Sequence, residues 1–128
     1  MPREFSRTDR LADTLQRELM ALIRAELDDP RLAMVNITGV EVTRDLSLAR
    51  VWVNFVVPKP AAEAAAAVEA LNRASGFLRA RLGRILRIRS VPQLRFQYDE
   101  SGERGQRVSD LIARALAEDR ARHQRGEE

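Results

Sequence analysis

An α+β fold, with helices packed on a single three-stranded sheet, is predicted by three observations. The chain opens on leucines at helical spacing. Two short runs then alternate apolar with polar residues. A third alternating run appears only after a long alanine- and arginine-rich stretch with helical period. At 128 residues and 45% hydrophobic, the chain has the size and apolar content of one domain with a core of its own.

Ser6-Arg7-Thr8-Asp9 has capping-box spacing, with a hydroxyl and a carboxylate able to satisfy free N–H groups at a helix start. Behind it, Leu11, Leu15, Leu19, Leu22, Ile23 and Leu27 form one buried stripe. Asp28-Asp29-Pro30 ends the helix, because proline disfavours helical backbone in the residue before it. Val35 to Thr43 reads as a strand whose apolar phase, Val35 and Ile37, switches to Val40 and Val42 across Gly39, which predicts a bulge. Arg44-Asp45-Leu46-Ser47 is short enough for a hairpin. In the second strand Val51, Val53, Phe55 and Val57 alternate with Arg50, Trp52 and Asn54. Pro58 stops that strand, and Pro60 suits the first turn of the next helix. That helix runs from Ala61 to Arg73 with Ala64, Val68 and Leu71 inward. Ala74-Ser75-Gly76 interrupts it, and a third helix sends Leu78, Leu82, Ile85 and Leu86 to the core. Leu94, Phe96 and Tyr98 mark a third strand. A polar loop from Asp99 to Gln106 leads to a last helix using Val108, Leu111, Ile112, Ala115 and Leu116. From Ala117 apolar residues are too few to dock, so a domain over 1–116 and a charged, frayed tail over 117–128 are expected. The order α-β-β-α-α-β-α contains the α-β-β-α-α-β of the type II KH fold, an RNA-binding module.

The chain offers little for catalysis. Without cysteine it has no disulfide, thiolate zinc site or cysteine nucleophile. His123, the only histidine, lies in the polar tail, outside any rigid catalytic geometry. Asp28-Asp29 and Asp99-Glu100 fall where acids cap and turn the chain. No catalytic residue, metal, cofactor or small-molecule substrate is expected. The opening residues carry charge without an apolar run, so no secretory signal or membrane partner is expected, and the location expected is cytoplasmic. No apolar stripe demands a second copy, so a monomer is expected.

The net charge of +3 is unevenly spread. Between Ala70 and Tyr98 stand Arg73, Arg79, Arg81, Arg84, Arg87, Arg89 and Arg95, with no acid. This segment holds +7 and leaves the remainder at −4. Such a one-sided field attracts a polyanion, and arginine's planar fork suits phosphate. If the third helix buries its stripe, Arg84 and Arg87 stand opposite the core, with Arg79 and Arg81 flanking it. On the first helix Asp13 is within pairing reach of Arg10 and Arg17, which suggests a self-neutralised middle. Arg3, Arg7 and Arg10 remain as candidates at its N-terminal end. Trp52 points away from the core face, between Arg50 and Asn54. It is either a platform for a stacked base or, the commoner role, a cover for a sheet edge or the final helix.

Several segments together resemble the ribosome-binding factor A family. They are Glu4-Phe5-Ser6-Arg7 with Arg10-Leu11-Ala12, Asp29-Pro30-Arg31-Leu32, Val40-Glu41-Val42 with Arg44-Asp45-Leu46, and Ala74-Ser75-Gly76-Phe77-Leu78-Arg79. The last is Val91-Pro92-Gln93-Leu94 running into Phe96 and Tyr98-Asp99. The match runs in order from about Arg3 to Leu116; Gln93 departs from it, where the family favours Glu. The resemblance implies a KH-like fold whose Gly-x-x-Gly loop is replaced by an Ala-x-Gly helix kink, here Ala74, Ser75 and Gly76. Gly76 would then supply backbone freedom. Gly102-Glu103-Arg104-Gly105 fits the Gly-x-x-Gly pattern only after the third strand, so it is a decoy. The resemblance also implies binding to the free 30S small subunit and its 16S rRNA, late maturation with 5′-end processing, and a link to cold adaptation, without nuclease activity. RNA contacts are expected from Arg73, Arg79, Arg81, Arg84, Arg87 and Arg89, with Arg3, Arg7 and Arg10. The alternatives are a general KH-like module for single-stranded RNA and an adaptor for acidic proteins.

Overall fold

The computed structural model describes residues 6–101, 111–112 and 114–121. Helix α1 (Arg7–Glu26) begins on the expected capping box, with the Ser6 hydroxyl accepting from the Asp9 N–H and the Asp9 carboxylate accepting from the Ser6 N–H. Leu15, Leu19, Leu22 and Ile23 are buried along one face, with Leu11 and Leu27 partly buried at its ends. A short 3-10 turn, Pro30–Leu32, carries the chain to β1 (Val35–Val42). Its cap is Asp29, whose carboxylate is held below its ordinary pKa by hydrogen bonds from the Arg31 side chain and backbone.

Strand β1 pairs antiparallel with β2 (Leu48–Phe55), and β2 pairs parallel with β3 (Gln93–Tyr98), so β2 is central. The bulge predicted at Gly39 is present: the register shifts between Ile37 and Gly39, which returns Val42 to the buried face. Helix α1 satisfies the backbone at this bulge, since Gln16 Nε2 donates to the Ile37 carbonyl at 3.0 Å and the Ile37 N–H approaches Met20 Sδ at 3.3 Å. The hairpin closes on Asp45, which accepts from the Ser47 and Thr43 hydroxyls and the Ser47 N–H, bonds that hold its pKa below the ordinary value.

Helices α2 (Ala61–Arg73) and α3 (Ser75–Leu86) fill the crossover from β2 to β3. Asn72, at the end of α2, docks on β3 like a fragment of strand: its Nδ2 donates to the Phe96 carbonyl at 3.1 Å and its Oδ1 accepts the Phe96 N–H at 2.8 Å. The three helices and the inner face of the sheet share one core, in which Leu15, Leu19, Val51, Val53, Leu71, Leu78 and Leu82 are fully enclosed. No helix of the described residues is long and apolar enough to cross a membrane.

Several expectations need correction. Strand β2 ends at Phe55, so Val57 is exposed rather than buried, because the chain leaves the sheet before Pro58. Pro60 is the N-cap of α2 rather than a first-turn residue, and Val68 is only partly buried while Ala67 and Ala70 take the core face. Ile85 is 46% exposed, because Leu78 and Leu82, one turn apart, already fill the contact with the core. Residues 111–112 and 114–121 are helical, so helix extends beyond 117, yet Leu111, Ile112, Ala115 and Leu116 are all exposed and contribute nothing to the core. Val108, Gly102-Glu103-Arg104-Gly105 and His123 lie outside the described residues.

Candidate RNA-binding face

The position of α3 follows from its two fully buried leucines and the kink before it. Helix α2 stops at Arg73, Ala74 takes an open helical conformation (φ −83°, ψ −3°), and Ser75 starts α3 while its hydroxyl donates to the Asn72 carbonyl at 2.7 Å. The kink thus exposes the first turn of a new helix, whose amide groups and positive dipole end favour anions. Gly76 lies within α3 without a left-handed φ, and a Cβ there would meet nothing within 4 Å. The backbone freedom expected of it is therefore not what the junction uses. Its lack of a side chain instead leaves the helix surface bare beside exposed Phe77.

The expected arginines divide by what they touch. Arg73 pairs with Glu69 one turn earlier. Arg81 is half-buried, bridges to Glu26 of α1 at 3.3 Å, and lies over the Phe77 ring at 5.3 Å. The acid-free segment is therefore neutralised at two points by acids from outside it. Such pairs contribute only about 0–1 kcal/mol at a surface, so a polyanion can displace them. Arg79 donates its Nε to the Val91 carbonyl at 2.8 Å, which anchors the guanidinium without neutralising it. Arg84, Arg87 and Arg89 are exposed and make no ion pair with any described residue. They form the free cationic edge, at and just past the end of α3.

On α1, Arg7 and Arg10 are exposed in the first turns, and Arg3 lies outside the described residues. Roughly 24 Å of helix separates Arg10 from Glu26, where α1 meets Arg81. The two sets of arginines are not brought together along α1. Asp13 closes no ion pair with Arg10 or Arg17; exposed side chains at this spacing stay solvated. Among the described residues, no group of His, Cys, Asp and Glu could hold a metal ion.

Sequence reasoning missed an apolar line on the solvent side of α3. Phe77 and Ile85 are both exposed, with Arg81 between them at the same four-residue spacing, and exposed Ile88 follows the helix. Gathering every apolar residue of α3 into one stripe hid it. The signal was there: Leu78, Leu82 and Leu86 already complete a stripe, and Phe77, Arg81 and Ile85 repeat that spacing one position earlier.

The sequence model of the family described as ribosome-binding factor A matches residues 7–112. A protein of that name from Thioalkalivibrio sulfidiphilus is 56% identical over 123 residues, covering 96% of this chain and 94% of its own. The crystal structure of ribosome-binding factor A from Thermus thermophilus superposes with a TM-score of 0.63 at 32% identity, covering 73% of this chain and 97% of that one. A homology model of the Thermus thermophilus factor, fitted into a cryo-EM map of its complex with the 30S subunit, gives a TM-score of 0.57 at 32% identity, over 70% and 91% of the two chains.

Proposed function

The chain belongs to the ribosome-binding factor A family, and from that premise we propose that it binds the free 30S subunit through 16S rRNA and assists late 30S maturation, including processing of the 16S 5′ end. It does so as a non-enzymatic, monomeric, cytoplasmic protein. The observation that carries this reading is the cationic edge of Arg84, Arg87 and Arg89, without an ion pair to any described residue, at and just past the end of a helix that Leu78 and Leu82 anchor in the core. Neutralising RNA phosphates there releases condensed counterions, which drives binding. Arg73, Arg79 and Arg81 extend the contact toward the kink, where bare Gly76 admits the RNA backbone. Arg7 and Arg10, with Arg3, form a smaller peripheral contact. The ribosome-binding domain of this reading covers 1–116, with 117–128 as its charged C-terminal tail. The relative fitted into a 30S complex supports the choice of partner.

The test is sedimentation of the tagged protein in lysate, on a gradient separating small subunits, large subunits and complete ribosomes, at low and moderate salt. Enrichment with free small subunits is expected to survive moderate salt. The Arg84→Glu/Arg87→Glu variant should stay folded and lose most of that enrichment. An equal spread over all RNA-containing fractions that vanishes as salt rises would show non-specific attraction and defeat the proposal. Unchanged enrichment of the folded double variant would remove the α3 face from it.

A further inference from the structure

The sheet has a second face, which α1, α2 and α3 do not use. Val51, Val53, Leu94 and Phe96 point into the core, so Arg50, Trp52 and Asn54 of β2 and Arg95 and Gln97 of β3 point out. Trp52 stands on the central strand, paired in register with Gly39 on one side and Gln97 on the other. Gly39 has no side chain to cover the indole. Trp52 is half-buried and, among the described residues, makes no ring contact and uses only its backbone carbonyl in a side-chain hydrogen bond, from Thr38. In the last helix, residues 111–112 and 114–120 are exposed.

One end of this face opens into a cleft of about 510 Å³ between the hairpin turn, α3 and the start of β3. Arg79, Arg95, Ser47, Ser90 and Gln93 are among its lining residues, and no acid is. Arg79 is anchored by its bond to Val91, which fixes the rest of its guanidinium fork in place, and Arg95 has no ion pair among the described residues. Two arginines sharing a cleft without a counter-charge are suited to an anion, and the fork geometry suits phosphate. The acids elsewhere on the face are engaged: Glu41 with Arg50 at 3.4 Å, and Asp99 with Thr38 and Ser101. From Arg95, Trp52 lies one strand over and one same-face position along, a diagonal of roughly 8 Å.

We propose that a single-stranded RNA segment crosses this outer face, with a backbone phosphate in the Arg79–Arg95 cleft and a base stacked on Trp52. An aromatic platform ringed by amides and guanidinium groups is what stacks and reads unpaired bases. The aliphatic part of the cleft, Leu46, Leu48 and Val91, stands beside two arginines with no acid in the lining, a charge that favours a polyanion over an apolar protein surface. This inference rests on the reading of the chain as an RNA binder. It extends the contact from Arg79, at the margin of the α3 face, across the outer face of the sheet to Trp52.

Trp52 is the only tryptophan in the chain, so its fluorescence reports this site alone. The full-length protein is titrated at moderate salt with a single-stranded oligouridylate nonamer, following quenching and, with a labelled nonamer, anisotropy. Both signals are expected to give the same affinity. Arg79→Ala and Arg95→Ala should each weaken it about tenfold. Trp52→Ala, read by anisotropy, should weaken it roughly 5- to 100-fold, while Trp52→Phe, which can still stack, stays within about threefold. In an Arg84→Glu/Arg87→Glu background quenching should still saturate. Binding by anisotropy without quenching would overturn the proposal and leave this face for a protein partner. Equal loss in Trp52→Phe and Trp52→Ala would also overturn it, since stacking would not be the interaction. No nonamer binding at all would do the same. Small-subunit enrichment on the gradient is read independently, so failure here is distinguishable from failure of the proposed function.

Discussion

Arg87 ends α3 in the left-handed region, at φ 52° and ψ 34°, where helices commonly place glycine. A β-carbon in that conformation costs about 1–2 kcal/mol, and glycine would return about 0.4–1 kcal/mol of that through the greater freedom of its unfolded chain. Arg87→Gly should therefore gain roughly 0.5–1 kcal/mol, read as a higher urea midpoint at unchanged slope. The same variant should bind small subunits more weakly, and Arg87→Lys should recover only part of the affinity, because lysine keeps the charge but not the planar fork. Met34 and Leu46 hold the same backbone region at exposed positions, so it is the binding of the variant, not the strain, that decides whether Arg87 is there for its guanidinium. A gain in stability with no loss of binding would reduce Arg87 to a helix stop.

At the scale of elements, α3 separates the residues that fold the domain from those proposed to meet the partner. Leu82 is fully buried and Ile85, less than one turn later, is 46% exposed. Leu82→Ala should cost about 2–5 kcal/mol, a large share of a stability near 5–15 kcal/mol. Ile85→Ala should cost less than about 1 kcal/mol yet weaken small-subunit binding, because Ile85 extends the Phe77 line between the arginines. Thermal melts of both variants beside their gradient profiles make the check. The same helix shows how far the sequence could be read. The element order, the capping box of α1 and the bulge at Gly39 were legible, because each depends on a few neighbouring residues. The parallel pairing of β3 with β2 was not, because it depends on where a two-helix crossover lands. The exposure of Ile85 was hidden for a related reason: periodicity shows that a helix has an apolar face but not how wide a face its neighbours can cover. Among site residues, the acid-free run pointed to the α3 arginines. Folding then sorted them, since Glu26 and Glu69 reach Arg81 and Arg73 from other helical positions. It also paired Arg79 with Arg95 across a cleft that no local pattern encodes.

Over the whole molecule the question is whether binding is localised or spread over a basic surface. A net charge of +3 on 128 residues is too small to bind RNA by bulk attraction, so the arrangement of cations must decide. Arg84, Arg87 and Arg89 form one group without an ion pair to any described residue, while Arg7 and Arg10 lie near the other end of α1 from its contact with Arg81. Affinity for small subunits, measured between about 50 and 200 mM salt, should fall linearly on logarithmic axes with a slope set by the phosphates neutralised. Removing an arginine that contacts phosphate lowers that slope by about one. Arg84→Ala, Arg87→Ala and Arg89→Ala should each do so, whereas Arg7→Ala and Arg10→Ala together should change it by less than one. Stability should hold in all five, since none of these side chains enters the core. Equal losses at both ends of the molecule would mean that RNA surrounds the domain rather than docking on α3. A slope lowered only by the α3 set would place the small subunit on that face, and leave the N-terminal arginines to steer the encounter.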